Sequence, residues 1–199
     1  MIANEYQINK VEREKIWKTY YGKNSSNSET LKLCKKLIIQ LDNKCKSITK
    51  EESEYDYYYC HIVMGRALRS SGFLMEAIKE VNIALDYKVL DTHSILAHWM
   101  IANIYEDNNQ KKEAKEEFIK CHNHYEKTNE KSLLLSVQFN INKLDGNIEG
   151  MKNCSKEYKS LPLLVDLDED DDNPSFSNDN NIKEMELSIC TYKNKIYSR

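Results

Sequence analysis

"MGRALRSSGFLMEAIKEVNIAL", residues 64–85, decides the fold of this chain. Small residues (Gly65, Ala67, Gly72, Ala77 and Ala84) stand at fixed places in an apolar frame. Ser70-Ser71-Gly72 breaks one helical pattern, and Leu74, Ala77, Ile78, Val81 and Leu85 then return every third or fourth residue, the period of a second helix. Gly65 and Ala77 leave room for the two helices to touch. The stretch therefore predicts a tightly paired helical hairpin.

Two further stretches carry the same frame. In "IANIYEDNNQKKEAKEEFIKCH" (101–122), Gly65 falls on Ala102, Leu68 on Tyr105, Gly72 on Asn109, Ala77 on Ala114, Val81 on Phe118 and Ala84 on Cys121. The spacing from Ala77 to Ala114 is 37 residues. A weaker copy is "VQFNINKLDGNIEGMKNCSKEY" (137–158), with Gly150 and Cys154 in the places of Ala114 and Phe118 and a spacing of 36. A hairpin repeated in this way leaves one apolar face uncovered per unit, so neighbouring units stack.

Around the repeats the reading is coarser. Thr49 with Glu52 forms a capping box that opens the helix running to Ser70. Leu31, Cys34, Leu37, Ile38 and Leu41 mark an earlier amphipathic helix, and residues 4 to 21, with Trp17, Tyr20 and Tyr21, mark another. The expected organisation is a helical hairpin or cap over 1–48, about three repeats over 49–162, an acidic flexible linker over 163–181 and a C-terminal amphipathic helix over 182–199. Six acids among residues 166 to 172 carry the linker reading. The helix reading rests on Ile182, Met185, Ile189, Tyr192 and Ile196. Two burial sites are open to that helix: the end of the third repeat, or the groove of the repeats.

Composition agrees with long helices: the 199 residues include two prolines and five glycines. A net charge of −3 gives no push towards nucleic acid or an anionic membrane, so neither is expected as a partner. There is no apolar run of spanning length and no signal-like N-terminus. The six cysteines lack CxxC spacing and read as buried thiols, and the expected compartment is the cytoplasm.

No catalytic constellation emerges. Cys121-His122-Asn123-His124 is half a metal site at most, since no second pair completes four ligands. Asp166, Asp168 and Asp170 begin like a calcium loop, but Asp171 and Ser177 stand where Gly and Glu are needed. Cys60 and His61 are sequence neighbours, so on a helix their side chains diverge. No phosphate loop, nucleophile elbow or HExxH occurs. The expectation is a chain without catalytic residues, metal or cofactor.

The repeat frame resembles that of the tetratricopeptide-repeat (TPR) family, whose unit is a helix-turn-helix of about 34 residues. The resemblance covers residues 56 to 162 and rests on Gly65, Leu68, Gly72, Ala77 and Ala84, then Ala102, Tyr105, Ala114 and Phe118, with Pro162 closing the third unit. His61 and His98 replace the family's hallmark tryptophan. The resemblance implies an all-α, right-handed solenoid of stacked hairpins. It also implies a concave groove, lined by the first helix of each unit, that holds a protein or peptide partner. Carried over, the lining residues are Tyr59, Ile62, Arg66 and Arg69, then Trp99, Asn103 and Glu106, then Leu135, Phe139 and Asn142. Amides there suit a peptide backbone, arginine a carboxylate, and the aromatic rings an apolar side chain. The family's clamp for chaperone tails is not formed, because its places carry Ile62, Arg66, Met100, Ser132 and Ser136. Self-association is left open. Two other readings stay beside the adaptor: a peptide-sensing receptor of the Gram-positive bacterial type, and an enzyme with an unrecognised site.

Overall fold

The computed structural model describes residues 2–44, 50–161, 183 and 185–188. All described secondary structure is α-helical. The helices are α1 (Ile2–Tyr21), α2 (Asn27–Lys44), α3 (Lys50–Ser70), α4 (Leu74–Leu85), α5 (Asp91–Asp107), α6 (Lys111–Thr128), α7 (Lys131–Asp145) and α8 (Ile148–Lys159). They form two compact units, residues 1–117 and 118–199, with the division inside α6. In the first unit each helix packs on the next, α1 on α2 through to α4 on α5, and α1 also reaches α3. In the second unit α7 packs on α8.

The expected break after Ser70 is a turn in which Gly72 takes the left-handed conformation, φ 82°. The amide N–H of Phe73 donates to the carbonyl of Leu68 at 2.9 Å and that of Gly72 to Arg69 at 3.0 Å, which satisfies two carbonyls at the end of α3. The next two hairpins repeat this geometry. Asn109 has φ 59° and Gly146 φ 72°. Gln110 donates to Tyr105 at 2.9 Å, and Asn147 to Asn142 at 2.8 Å. Gly72, Asn109 and Gly146 are spaced 37 and 37 residues apart (109 − 72 and 146 − 109). The repeat is thus a property of the backbone, not only of side-chain composition.

That geometry corrects the register of the third copy. Its expected spacing of 36 placed Gly150 and Cys154 with Ala114 and Phe118. A spacing of 37 places Met151 and Ser155 there instead. The buried positions agree: Ala77, Ala114 and Met151 are fully buried, and so are Val81 and Phe118, with Ser155 nearly so. Ala84, Cys121 and Tyr158 follow as the next buried set. Bulk is exchanged between two places on the same helix face, small then large in the second copy and large then small in the third. Gly150 has a different role. Its amide donates to the Asn147 side chain at 2.9 Å, capping α8, and a Cβ there would meet the Asn142 carboxamide at 2.5 Å.

The predicted close approach at Gly65 is present. A Cβ on Gly65 would lie 2.5 Å from Cγ2 of Val81, 2.8 Å from Cε of Met100 and 3.3 Å from the carbonyl oxygen of Ala77. Around this contact Tyr58, Ala77, Ile78, Val81, Ala84, Ala97, Met100, Ile101 and Ile104 form the core of α3, α4 and α5. A second core, with Ile16, Leu33, Cys34, Leu37, Leu41, Cys60, Val63 and Met64, lies among α1, α2 and α3. Each large aliphatic side chain buried this way contributes roughly 1.5–3 kcal/mol. Asp56, on α3, is buried and accepts from Asn9 at 2.8 Å and from Arg13, which ties α1 to α3. A buried carboxylate needs such partners to remain charged.

The acidic stretch 166–172, the Thr49–Glu52 box and most of the C-terminal segment lie outside the described residues. Residues 183 and 185–188 are helical. Met185 is buried in one cluster with Leu135, Phe139, Met151, Cys154 and Tyr158 of the α7–α8 hairpin. Cys34, Cys60, Cys121 and Cys154 are buried thiols outside any disulfide, as the composition suggested.

Candidate partner-binding face

In the first unit, α3 stands between α1 and α5, and its side chains reach both. Towards α1, the Tyr59 hydroxyl donates to the Arg13 carbonyl at 3.2 Å, and Arg66 donates to the Tyr21 hydroxyl with its guanidinium 5.9 Å from the centre of that ring. Tyr21 is itself packed on Trp17, centroids 4.0 Å apart, and edge-on to Tyr20 at 4.5 Å. Burial first, opposed by Arg66, holds the Tyr21 hydroxyl above its ordinary range, so it stays a neutral donor–acceptor. Towards α5, Tyr58 donates to the carbonyl of His93 at 2.6 Å, and Arg69 pairs with Asp107 at 2.6 Å.

The seven candidates on α3 and α5 (Tyr59, Ile62, Arg66, Arg69, Trp99, Asn103 and Glu106) are all half-buried. Partial exposure suits a lining, because such residues are held in place yet keep an accessible edge. The 37-residue register puts Ile62 in line with Trp99, Arg66 with Asn103, and Arg69 with Glu106. These are three tracks along one face. Arg66 and Arg69 are not bare charges: an aromatic ring orients one and a carboxylate the other.

The three candidates on α7 pack within the second unit. Leu135 and Phe139 are 8% and 3% exposed and belong to the cluster of the α7–α8 hairpin, while Asn142 donates to Cys154 Sγ at 3.6 Å and accepts from Asn147 at 3.0 Å. Their burial follows from the register. At a spacing of 37 they align with His98, Ala102 and Tyr105, which are packing positions. Along the sequence the same register points to Ser136, Asn140 and Lys143, of which Ser136 is buried. Gly146, 37 residues after Asn109, was the signal in the sequence for this register.

A second recurrence was also legible but unread. His61 Nδ1 lies 2.7 Å from Glu80 Oε2, and His98 Nδ1 lies 2.7 Å from Glu117 Oε2. Both pairs are separated by 19 residues, and each joins the two helices of one hairpin. In the third copy the same places hold Leu135 and Cys154, an apolar pair within one cluster. His61 and His98 are therefore structural ties between paired helices.

Cys60 and His61 do diverge. His61 bonds to Glu80, while Cys60 meets the Cys34 thiol, and this hydrogen bond, together with burial, holds the Cys60 thiol well above its ordinary range. Such a thiol is a poor nucleophile. Among the described residues no group of three or more His, Cys, Asp or Glu is placed to hold a metal ion, and no helix is long and apolar enough to cross a membrane.

Compared with protein-family models, with curated proteins and with solved structures, the chain finds no match.

Proposed function

We propose that this chain is a non-catalytic, TPR-like repeat protein that binds an extended peptide along the face of α3 and α5. In this reading the stacked hairpins continue as a right-handed solenoid. The observation that supports the reading is the set of parallel tracks: apolar Ile62 and Trp99, hydrogen-bonding Arg66 and Asn103, and oppositely charged Arg69 and Glu106, all half-buried on consecutive first helices. A peptide laid across them finds an apolar anchor, donors for its carbonyls and a charge at one edge. The backbone register supports the repeat half of the reading, since a groove needs equivalent residues at equivalent places.

The test is selection of binders to the full chain from a displayed peptide library, followed by titration of the selected peptides. Trp99→Ala and Asn103→Ala should each weaken binding by about tenfold or more with the unfolding midpoint little changed. Lys115→Ala, on α6, should leave affinity as it was. Peptides that bind all of these proteins equally would move the site off this face.

A further inference from the structure

Three arginines lie among the described residues, and two of them meet a carboxylate: Arg13 pairs with Asp56 and Arg69 with Asp107. Arg66 does not. It donates to the hydroxyl of Tyr21, a neutral group, and its guanidinium stands 5.9 Å from the centre of that ring. A guanidinium carries five N–H donors. One is engaged at Tyr21, and no carboxylate among the described residues pairs with the charge. Arg66 is half-buried, and taking part of a cation out of water costs free energy that a phenol and a ring face offset only in part. An anion completes the site, because charge-assisted hydrogen bonds are roughly twice as strong as neutral ones.

The frame around this charge comes from the end of α1. Trp17, Tyr20 and Tyr21 pack on one another there, and two ties hold the corner against α3, one helical turn apart. Arg66 bonds to Tyr21, and the Tyr20 hydroxyl lies 3.1 Å from Ser70 Oγ. The guanidinium is thus fixed before anything binds, which lowers the entropy cost of binding. The Tyr21 ring beside it is 41% exposed. A cation with spare donors next to an exposed ring fits an acidic side chain whose neighbour is aromatic. One guanidinium matches the single charge of a carboxylate, whereas phosphate recognition draws on clusters of arginine.

We propose that Arg66, framed by Trp17, Tyr20 and Tyr21, is an acid-reading subsite: it takes a glutamate or aspartate side chain of a bound peptide, with an aromatic neighbour of that residue laid on Tyr21. The subsite rests on the peptide-binding reading of the face of α3 and α5, and extends that face onto α1. It gives the two arginines of the face different work. Arg66 takes the charge of the partner and leaves backbone carbonyls to Asn103, while the charge of Arg69 is already met by Asp107.

The experiment selects a displayed peptide library on the full wild-type chain, then titrates the enriched peptides and their acid-to-amide versions against wild type, Arg66→Gln and Arg66→Lys. Wild type should enrich Glu or Asp beside an aromatic residue. Changing that acid to its amide should weaken binding to wild type by about tenfold, and to Arg66→Gln by less than about twofold. Arg66→Lys keeps the charge without the planar fork, so it should retain the preference for acid at lower affinity, which tests the subsite even where Arg66→Gln fails to fold. A phosphoserine in place of the acid should bind no more tightly, and a gain of about tenfold would overturn the carboxylate assignment. Peptides that depend on Trp99 yet carry no acid at a fixed place, or lose equally on wild type and Arg66→Gln, would overturn the subsite and leave the face standing. Failure of wild type to enrich any peptide would overturn the face and the subsite together.

Discussion

His98 Nδ1 stands 2.7 Å from Glu117 Oε2, repeating 37 residues on (98 − 61) the contact that His61 makes with Glu80. In the third hairpin Leu135 and Cys154 take the same two places. One position in the hairpin thus accepts either a satisfied polar pair or an apolar pair, and a mixed pair carries the cost of an unsatisfied polar group. Glu117→Cys alone should cost about 1–3 kcal/mol, because Nδ1 of a largely buried histidine loses its partner. Adding His98→Leu should recover most of that loss. Urea unfolding of the two single variants and the double variant measures the coupling, and simple additivity would show that the pair is not a unit.

The turns predict an asymmetry between space and conformation. A Cβ on Gly72 would meet nothing within 4 Å, yet φ is 82°. Gly72→Ala should therefore destabilise by about 1 kcal/mol for backbone reasons alone. Asn109, already at φ 59°, should accept glycine with a change under about 1 kcal/mol. Matched thermal unfolding of the two variants checks this, and equal losses would contradict it.

Gly65 presents the opposite case. Its helical backbone suits alanine, but the added methyl would press on Val81 and Met100. Gly65→Ala should lose roughly 1–3 kcal/mol despite its better helix propensity. A stabilised variant, measured by denaturant midpoint, would mean that α3 and α4 can separate freely.

Acid should weaken the first unit through His93. Its ring packs edge-on to Tyr55 and Tyr58, centroids 5.4 and 5.5 Å away, and its Nδ1 is buried without a hydrogen-bond partner. Burial lowers its pKa below the usual histidine value, so the folded chain keeps the ring neutral while the unfolded chain takes up a proton below pH ~6.5. The contribution is complete above that pH and is lost as pH falls through the depressed folded value. Between pH 7.5 and 5, wild type should therefore lose more stability than His93→Phe, which keeps the ring and removes the titration. Parallel losses in the two proteins would rule His93 out.

Hairpins were legible in the sequence wherever a small residue is required by the backbone. Gly65 and Gly72 announce a close contact and a left-handed turn, and both are present. The third copy misled because smallness was read as the invariant. Gly150 looked like Ala114, whereas the buried place is filled by Met151, with Ser155 giving up the bulk that Phe118 supplies one copy earlier. Packing conserves combined volume across neighbouring places rather than the size at each one. That error of one residue carried into the candidates on α7, moving them from Ser136, Asn140 and Lys143 to Leu135, Phe139 and Asn142, although Ser136 is itself buried. The arginines were legible as to place but not as to state, because Tyr21 and Asp107 come from other helices.

The identical closing bonds at Phe73, Gln110 and Asn147 make the length of this chain a quantised variable. A segment cut between Phe73 and Gln110 carries one turn junction and one full set of packing positions, so duplicating or excising it rejoins equivalent atoms. An insertion of any other size within a unit moves the left-handed residue off its corner and rotates the following helix about its axis. Growth by whole cassettes is the low-strain route open to such a chain.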